Sequence, residues 1–107
     1  MPQYMLQFAY TPEAWSTMMK NPVDRTDVIK GLCKSLGGKL VMLAYTMGEY
    51  DGFVITELPD DSTAMAFVLR ALGPGHVKAT KTTKLFTAQE AKASMAKAGE
   101  KSYSGPR

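Results

Sequence analysis

With one cysteine, one histidine and one tryptophan among 107 residues, the chain is poor in the side chains that build disulfide frameworks and metal centres. Cys33 alone excludes an internal disulfide, and His76 has no second ligand at metal spacing, so no metal and no cofactor are expected. No uninterrupted apolar run approaches the roughly 20 residues that cross a bilayer, which removes a membrane partner. The first ten residues also lack the basic segment and apolar core of a signal peptide, so the cytoplasm is the expected location.

Hydrophobic residues make up 45% of the chain and charged residues 21%, the balance of a globular domain with a core. The net charge of +3 hides an asymmetry: from Lys78 onward there are seven basic and two acidic residues, against six and eight before it. Nucleic-acid binding would need aromatic residues interleaved with that charge, and only Phe86 and Tyr103 occur there, so no nucleic-acid partner is expected.

Residues 3–10 alternate with period two, placing Tyr4, Leu6, Phe8 and Tyr10 on one face of a strand. Thr11-Pro12-Glu13 opens a short helical segment with Trp15, Met18 and Met19, ended by Asn21-Pro22. Asp24 is placed to cap a second helix, whose Val28, Ile29, Leu32, Cys33 and Leu36 form a stripe expected to be buried, and Gly37-Gly38 closes it. Residues 39–47 make a second strand with Leu40, Met42 and Ala44 on one side and Val41, Leu43, Tyr45 and Met47 on the other. Apolar residues on both sides predict cover on both sides.

Residues 53–58 make a third strand, followed by a helix expected to bury Met65, Val68, Leu69 and Leu72 before Gly73-Pro74-Gly75. Residues 76–86 form a fourth strand, and Thr87-Ala88-Gln89-Glu90 is a capping box for an alanine-rich last helix. This order predicts an α+β, ferredoxin-like split βαβ sandwich: a four-stranded antiparallel sheet, helices on one face and an extra C-terminal helix. One domain is expected over residues 1–98, with a flexible tail at 99–107. The sheet's open face, apolar in the second strand, is expected to be covered by a second copy, making a homo-oligomer.

The candidate functional spot is the run Gly48-Glu49-Tyr50-Asp51-Gly52, which sets ionisable groups at the turn between two apolar strands. Tyr50, Asp51 and Glu49, with His76, are the candidate catalytic groups, and Tyr45, Tyr10 and Phe8 the candidate ligand-binding ones. A structural alternative stands beside this: the two glycines permit a tight turn whose aspartate bonds local amides, while the aromatic residues fill a subunit interface. Cys33, on an apolar stripe, reads as core.

The series Tyr10-Thr11-Pro12-Glu13, Leu36-Gly37-Gly38-Lys39-Leu40, Tyr45 to Asp51, Glu57 to Asp61 and Lys81 to Thr87 resembles the GYD domain family of small bacterial proteins. Gly48, Tyr50 and Asp51 match the residues that name it. Lys81 and Lys84 depart from the resemblance, which leads one to expect arginine there. The resemblance implies a ferredoxin-like fold of the dimeric α/β barrel type and brings no reaction with it. The functional expectation is a small molecule bound in a pocket near the sheet. A non-catalytic oligomeric module and a cofactor-independent enzyme are the alternatives.

Overall fold

The computed structural model describes residues 1–106; Arg107, the end of the expected tail, lies outside the described residues. Four strands form, β1 (Gln3–Tyr10), β2 (Lys39–Tyr45), β3 (Gly52–Glu57) and β4 (Val77–Leu85). Four helices accompany them, α1 (Pro12–Lys20) and α2 (Thr26–Ser35) between β1 and β2, α3 (Asp61–Leu72) between β3 and β4, and α4 (Ala88–Gly99) after β4. The strands pair antiparallel in the order β2-β3-β1-β4, the arrangement of a ferredoxin-like sheet.

Local chemistry explains the helix ends. The Thr11 hydroxyl accepts from the Ala14 amide at 3.1 Å, and Thr87 and Glu90 close a reciprocal capping box over α4 at 3.0 and 2.8 Å. Asp60 caps α3 by accepting from the Thr63 amide at 2.8 Å. Asp24 does not cap α2: its carboxylate accepts from the Thr26 amide and hydroxyl in a local Asx turn, and Arg25 becomes the boundary residue. Gly37 ends α2 at φ 78°, where a side chain would be strained, and the Gly38 amide returns to the Cys33 carbonyl at 2.9 Å.

Tyr4, Leu6 and Phe8 of β1 and Val54 of β3 pack with Cys33 of α2, Leu58, and Ala64 and Phe67 of α3 in one core. Each large side chain buried there contributes about 1.5–3 kcal/mol. Two expected stripes are corrected. On α3 the inward residues are Ala64 and Phe67, with Val68 half-buried, while Met65 and Leu69 are 59% and 55% exposed. The face is therefore centred on small and aromatic residues one position away from the larger aliphatic ones. On α2, Val28 is exposed, although Ile29, Leu32 and Leu36 pack against the core.

The sides expected for β2 are also corrected, because the strand carries a bulge. Leu40 pairs with Thr56, Met42 with Ile55 and Leu43 with Val54, so Val41 is left without a partner on β3. Beyond the bulge the alternation changes phase: Leu40, Leu43 and Tyr45 share the helix-covered side, and Met42 and Ala44 the other. The strand ends at Tyr45, two residues early, and Met47 is fully exposed.

The opposite side of the sheet presents Met5, Met42, Ala44, Phe53 and Ile55 as neighbours, and none of these belongs to the core. Helix α4 has no buried residue. The radius of gyration is 17.3 Å, against about 13 Å for a compact chain of this length, and the long axis reaches 58 Å. No helix among the described residues is long and apolar enough to cross a membrane.

Candidate functional site

Between the helix-covered face of the sheet and helices α2 and α3 lies a cavity of about 320 Å³. Leu6, Phe8, Leu43 and Val54 supply its floor from three strands. Ile29 and Leu32 wall it from α2, and Phe67 and Ala71 from α3. The polar lining comes from Tyr10 and Tyr45 and from Arg25, Arg70 and His76. The bulge in β2 matters here, since it turns Leu43 and Tyr45 toward the cavity.

One side of the cavity is an aromatic cluster. Phe8 meets Tyr10 and Tyr45 edge-on at 5.2 and 5.9 Å, and Tyr10 and Tyr45 stack at 6.5 Å with their hydroxyls 3.4 Å apart. Trp15 of α1 lies edge-on to Tyr10 at 5.2 Å. Burial, reinforced by Tyr45, raises the Tyr10 phenol well above its ordinary value, while the Arg25 guanidinium pulls the other way. Tyr10 is therefore a neutral hydroxyl that donates and accepts.

The sequence candidates divide into two groups. Phe8, Tyr10, Tyr45 and His76 meet at the cavity. Glu49, Tyr50 and Asp51 are not among its lining residues. Asp51 instead accepts hydrogen bonds from the Tyr10 amide at 2.8 Å and from the Trp15 indole Nε1 at 3.1 Å. Its own amide donates to the Phe8 carbonyl at 2.8 Å, and its carbonyl accepts from the Thr46 amide at 2.9 Å. Asp51 thus ties together the loop, the end of β1 and α1, behind the aromatic cluster. Tyr50 offers its carbonyl to the Thr46 hydroxyl at 2.7 Å.

The glycines flanking this loop behave differently from each other. Gly52 has an ordinary φ, but a Cβ there would come within 2.7 Å of both the Ala44 carbonyl oxygen and the Phe8 ring. Gly48 also has an ordinary φ, and nothing lies within 4 Å of its missing Cβ.

The family model for the GYD domain matches residues 4–95, the span from the first core residue of β1 into α4. The chain belongs to the GYD domain family. In this GYD domain, the aspartate of the signature braces Tyr10 and Trp15, and neither it nor the signature tyrosine is among the residues lining the cavity. Among solved structures, the chain is similar in fold to MtbAldR, at 15% identity and a TM-score of 0.57, covering 80% of this chain and 52% of that one. It spans about half the length of that protein. TTHA0845 from Thermus thermophilus is 16% identical with a TM-score of 0.53, covering 82% and 96%, and FFRP-DM1 is 13% identical at 0.50, covering 80% and 100%. At these identities the likeness concerns the fold alone. No curated protein matches the sequence.

Arg25 and Arg70 were not among the sequence candidates of this GYD domain. Arg25 bounds α2 and Arg70 lies in the last turn of α3, so no local pattern joins residues 45 positions apart. A second polar cluster lies on the far side of α3, where the buried Tyr4 hydroxyl donates to Asp61 at 2.6 Å and Lys84 pairs with the same carboxylate at 3.0 Å. Lys84, one of the two departures from the expected arginines, thereby links β4 to the start of α3.

Proposed function

We propose that this GYD-domain protein binds a small, largely apolar molecule in the cavity between the sheet and helices α2 and α3. The observation that carries this reading is the cavity: about 320 Å³, within the range of small-ligand sites, with an apolar body and a few convergent polar groups. Asp51 acts in this reading as a positioning residue, holding Tyr10 and Trp15 so that the aromatic wall keeps its shape. The test uses N-phenyl-1-naphthylamine, a neutral apolar probe whose fluorescence rises out of water. Energy transfer from Trp15, the single tryptophan, reports its proximity. Binding is expected, together with its loss in Ala71→Phe, which fills the cavity from α3. Probe binding that survives this substitution at an unchanged melting temperature would overturn the reading.

We further propose a homo-oligomer, of the dimeric α/β barrel type, packed through the opposite face of the sheet. The contiguous Met5, Met42, Phe53 and Ile55 on that face favour it, because an uncovered apolar sheet face is stabilised by burial against a copy of itself. Sedimentation at micromolar concentration is expected to give a dimer or larger assembly for the unaltered chain and a monomer for Ile55→Glu. A monomeric unaltered chain refutes it.

A further inference from the structure

We infer that the molecule bound in this cavity carries one anionic group, held at the cavity mouth by Arg25 and Arg70, on an otherwise apolar body; the inference rests on the cavity being a binding site. Two arginines from different helices reach one space whose lining includes no aspartate or glutamate among the described residues. Among the same residues the ion pairs are Lys39 with Glu57 and Lys84 with Asp61, and neither arginine joins an acidic partner. Arg25 is half-buried and Arg70 exposed; two guanidinium groups without an acidic partner beside an apolar wall favour an anion there, and their planar forks match a carboxylate bidentately.

Two further features point the same way. Tyr10 and Tyr45 place two hydroxyls, 3.4 Å apart, along the same lining. His76, the residue before β4, adds an imidazole to the same lining. The floor of Leu6, Phe8, Leu43 and Val54 offers nothing to a second charge. Burying a second charge against that floor would carry a large desolvation cost, which argues for a monoanion such as an aromatic or branched aliphatic carboxylic acid over a polyphosphate.

Two probes with the same aromatic skeleton test this on the full chain: 1-anilinonaphthalene-8-sulfonate, an anion, and neutral N-phenyl-1-naphthylamine. The anion is expected to bind at least tenfold more tightly, with an affinity that falls as salt rises. Arg25→Met and Arg70→Met are each expected to weaken the anion about tenfold, the scale of a lost charge-assisted hydrogen bond, and to change the neutral probe less than twofold. Unchanged neutral binding also shows that the variants keep the cavity intact. 2-Naphthoic acid should displace the anionic probe where its amide fails. Equal affinity of the two probes, unaltered in both arginine variants, would overturn the anion inference and leave the cavity reading standing. Absence of binding by either probe, or binding that persists in Ala71→Phe, would overturn the cavity reading itself.

Discussion

Replacing Asp51 by alanine is expected to destabilise the fold without emptying or filling the cavity directly. Its carboxylate accepts from the Tyr10 amide at 2.8 Å and the Trp15 indole at 3.1 Å, both in half-buried surroundings. Truncation leaves two donors without an acceptor, and hydrogen bonds to charged groups are worth about 1.5–3 kcal/mol each when fully buried. Discounted for partial exposure, the loss is about 2–4 kcal/mol, or roughly 10–20 °C in melting temperature for a domain of this size. Both donors meet the same oxygen, Oδ2, so Asp51→Asn can accept from both without the charge and should lose about half as much. Trp15→Phe removes one donor and keeps most of the packing, and the double variant should show a coupling of about 1 kcal/mol. Urea unfolding at one fixed protein concentration is the assay, since assembly makes stability depend on concentration. Strictly additive costs, or a melting temperature for Asp51→Ala within two or so degrees of the unaltered chain, would refute the positioning role.

Gly52→Ala should cost about 1–3 kcal/mol in guanidinium unfolding, because its Cβ would meet the Ala44 carbonyl and the Phe8 ring. Gly48→Ala, with open space and an ordinary φ, should be neutral or stabilising by up to about 1 kcal/mol. The Tyr4 hydroxyl, then Lys84, hold the Asp61 carboxyl below its usual range, so its stabilising contribution is complete above the ordinary aspartate value and is lost as pH falls through the lower folded one. The stability gap between the unaltered chain and Asp61→Asn, read from urea midpoints, should therefore be open at neutral pH and close in strong acid. Burial, aided by Asp61, pushes the Tyr4 phenol up to about 12. Its contribution is present below the ordinary tyrosine value and lost as pH rises toward 12, which ultraviolet titration with parallel melting curves would follow. Cys33, fully buried and with its thiol pushed up by burial, should react with iodoacetamide only as fast as the protein opens; rapid labelling of the folded chain would contradict its core assignment.

Much of this architecture was legible from local chemistry. The alternation of residues 3–10, the Thr11 and Thr87 caps and the glycine stop after α2 each depend on neighbours in sequence. The errors in which face is buried have one origin, since a period read from residue types cannot see its own phase. On α3 the large Met65 and Leu69 drew the expected face away from Ala64 and Phe67, the residues the helix buries. In β2 a single unpaired residue reversed the sides of everything after it. The candidate site divided for a related reason: Phe8, Tyr10, Tyr45 and His76 share an end of the sheet. Asp51 sits beside that end in sequence, yet its carboxylate is spent on Tyr10 and Trp15. Arg25 and Arg70 became neighbours of one space only through helix packing.

The bulge at Val41 has a consequence for how such a chain can vary. Because cavity wall and outer surface are interleaved on β2, the position of the unpaired residue decides which side chains each receives. Sliding that point two residues toward Tyr45 would exchange Leu43 for Met42 in the wall and leave Tyr45 in place, with no change of composition. Removing Val41 would restore a regular strand with both faces as they are. Length and register, rather than substitution, are then the economical variables for reshaping this strand, and a Val41 deletion that folds with its cavity intact would demonstrate it.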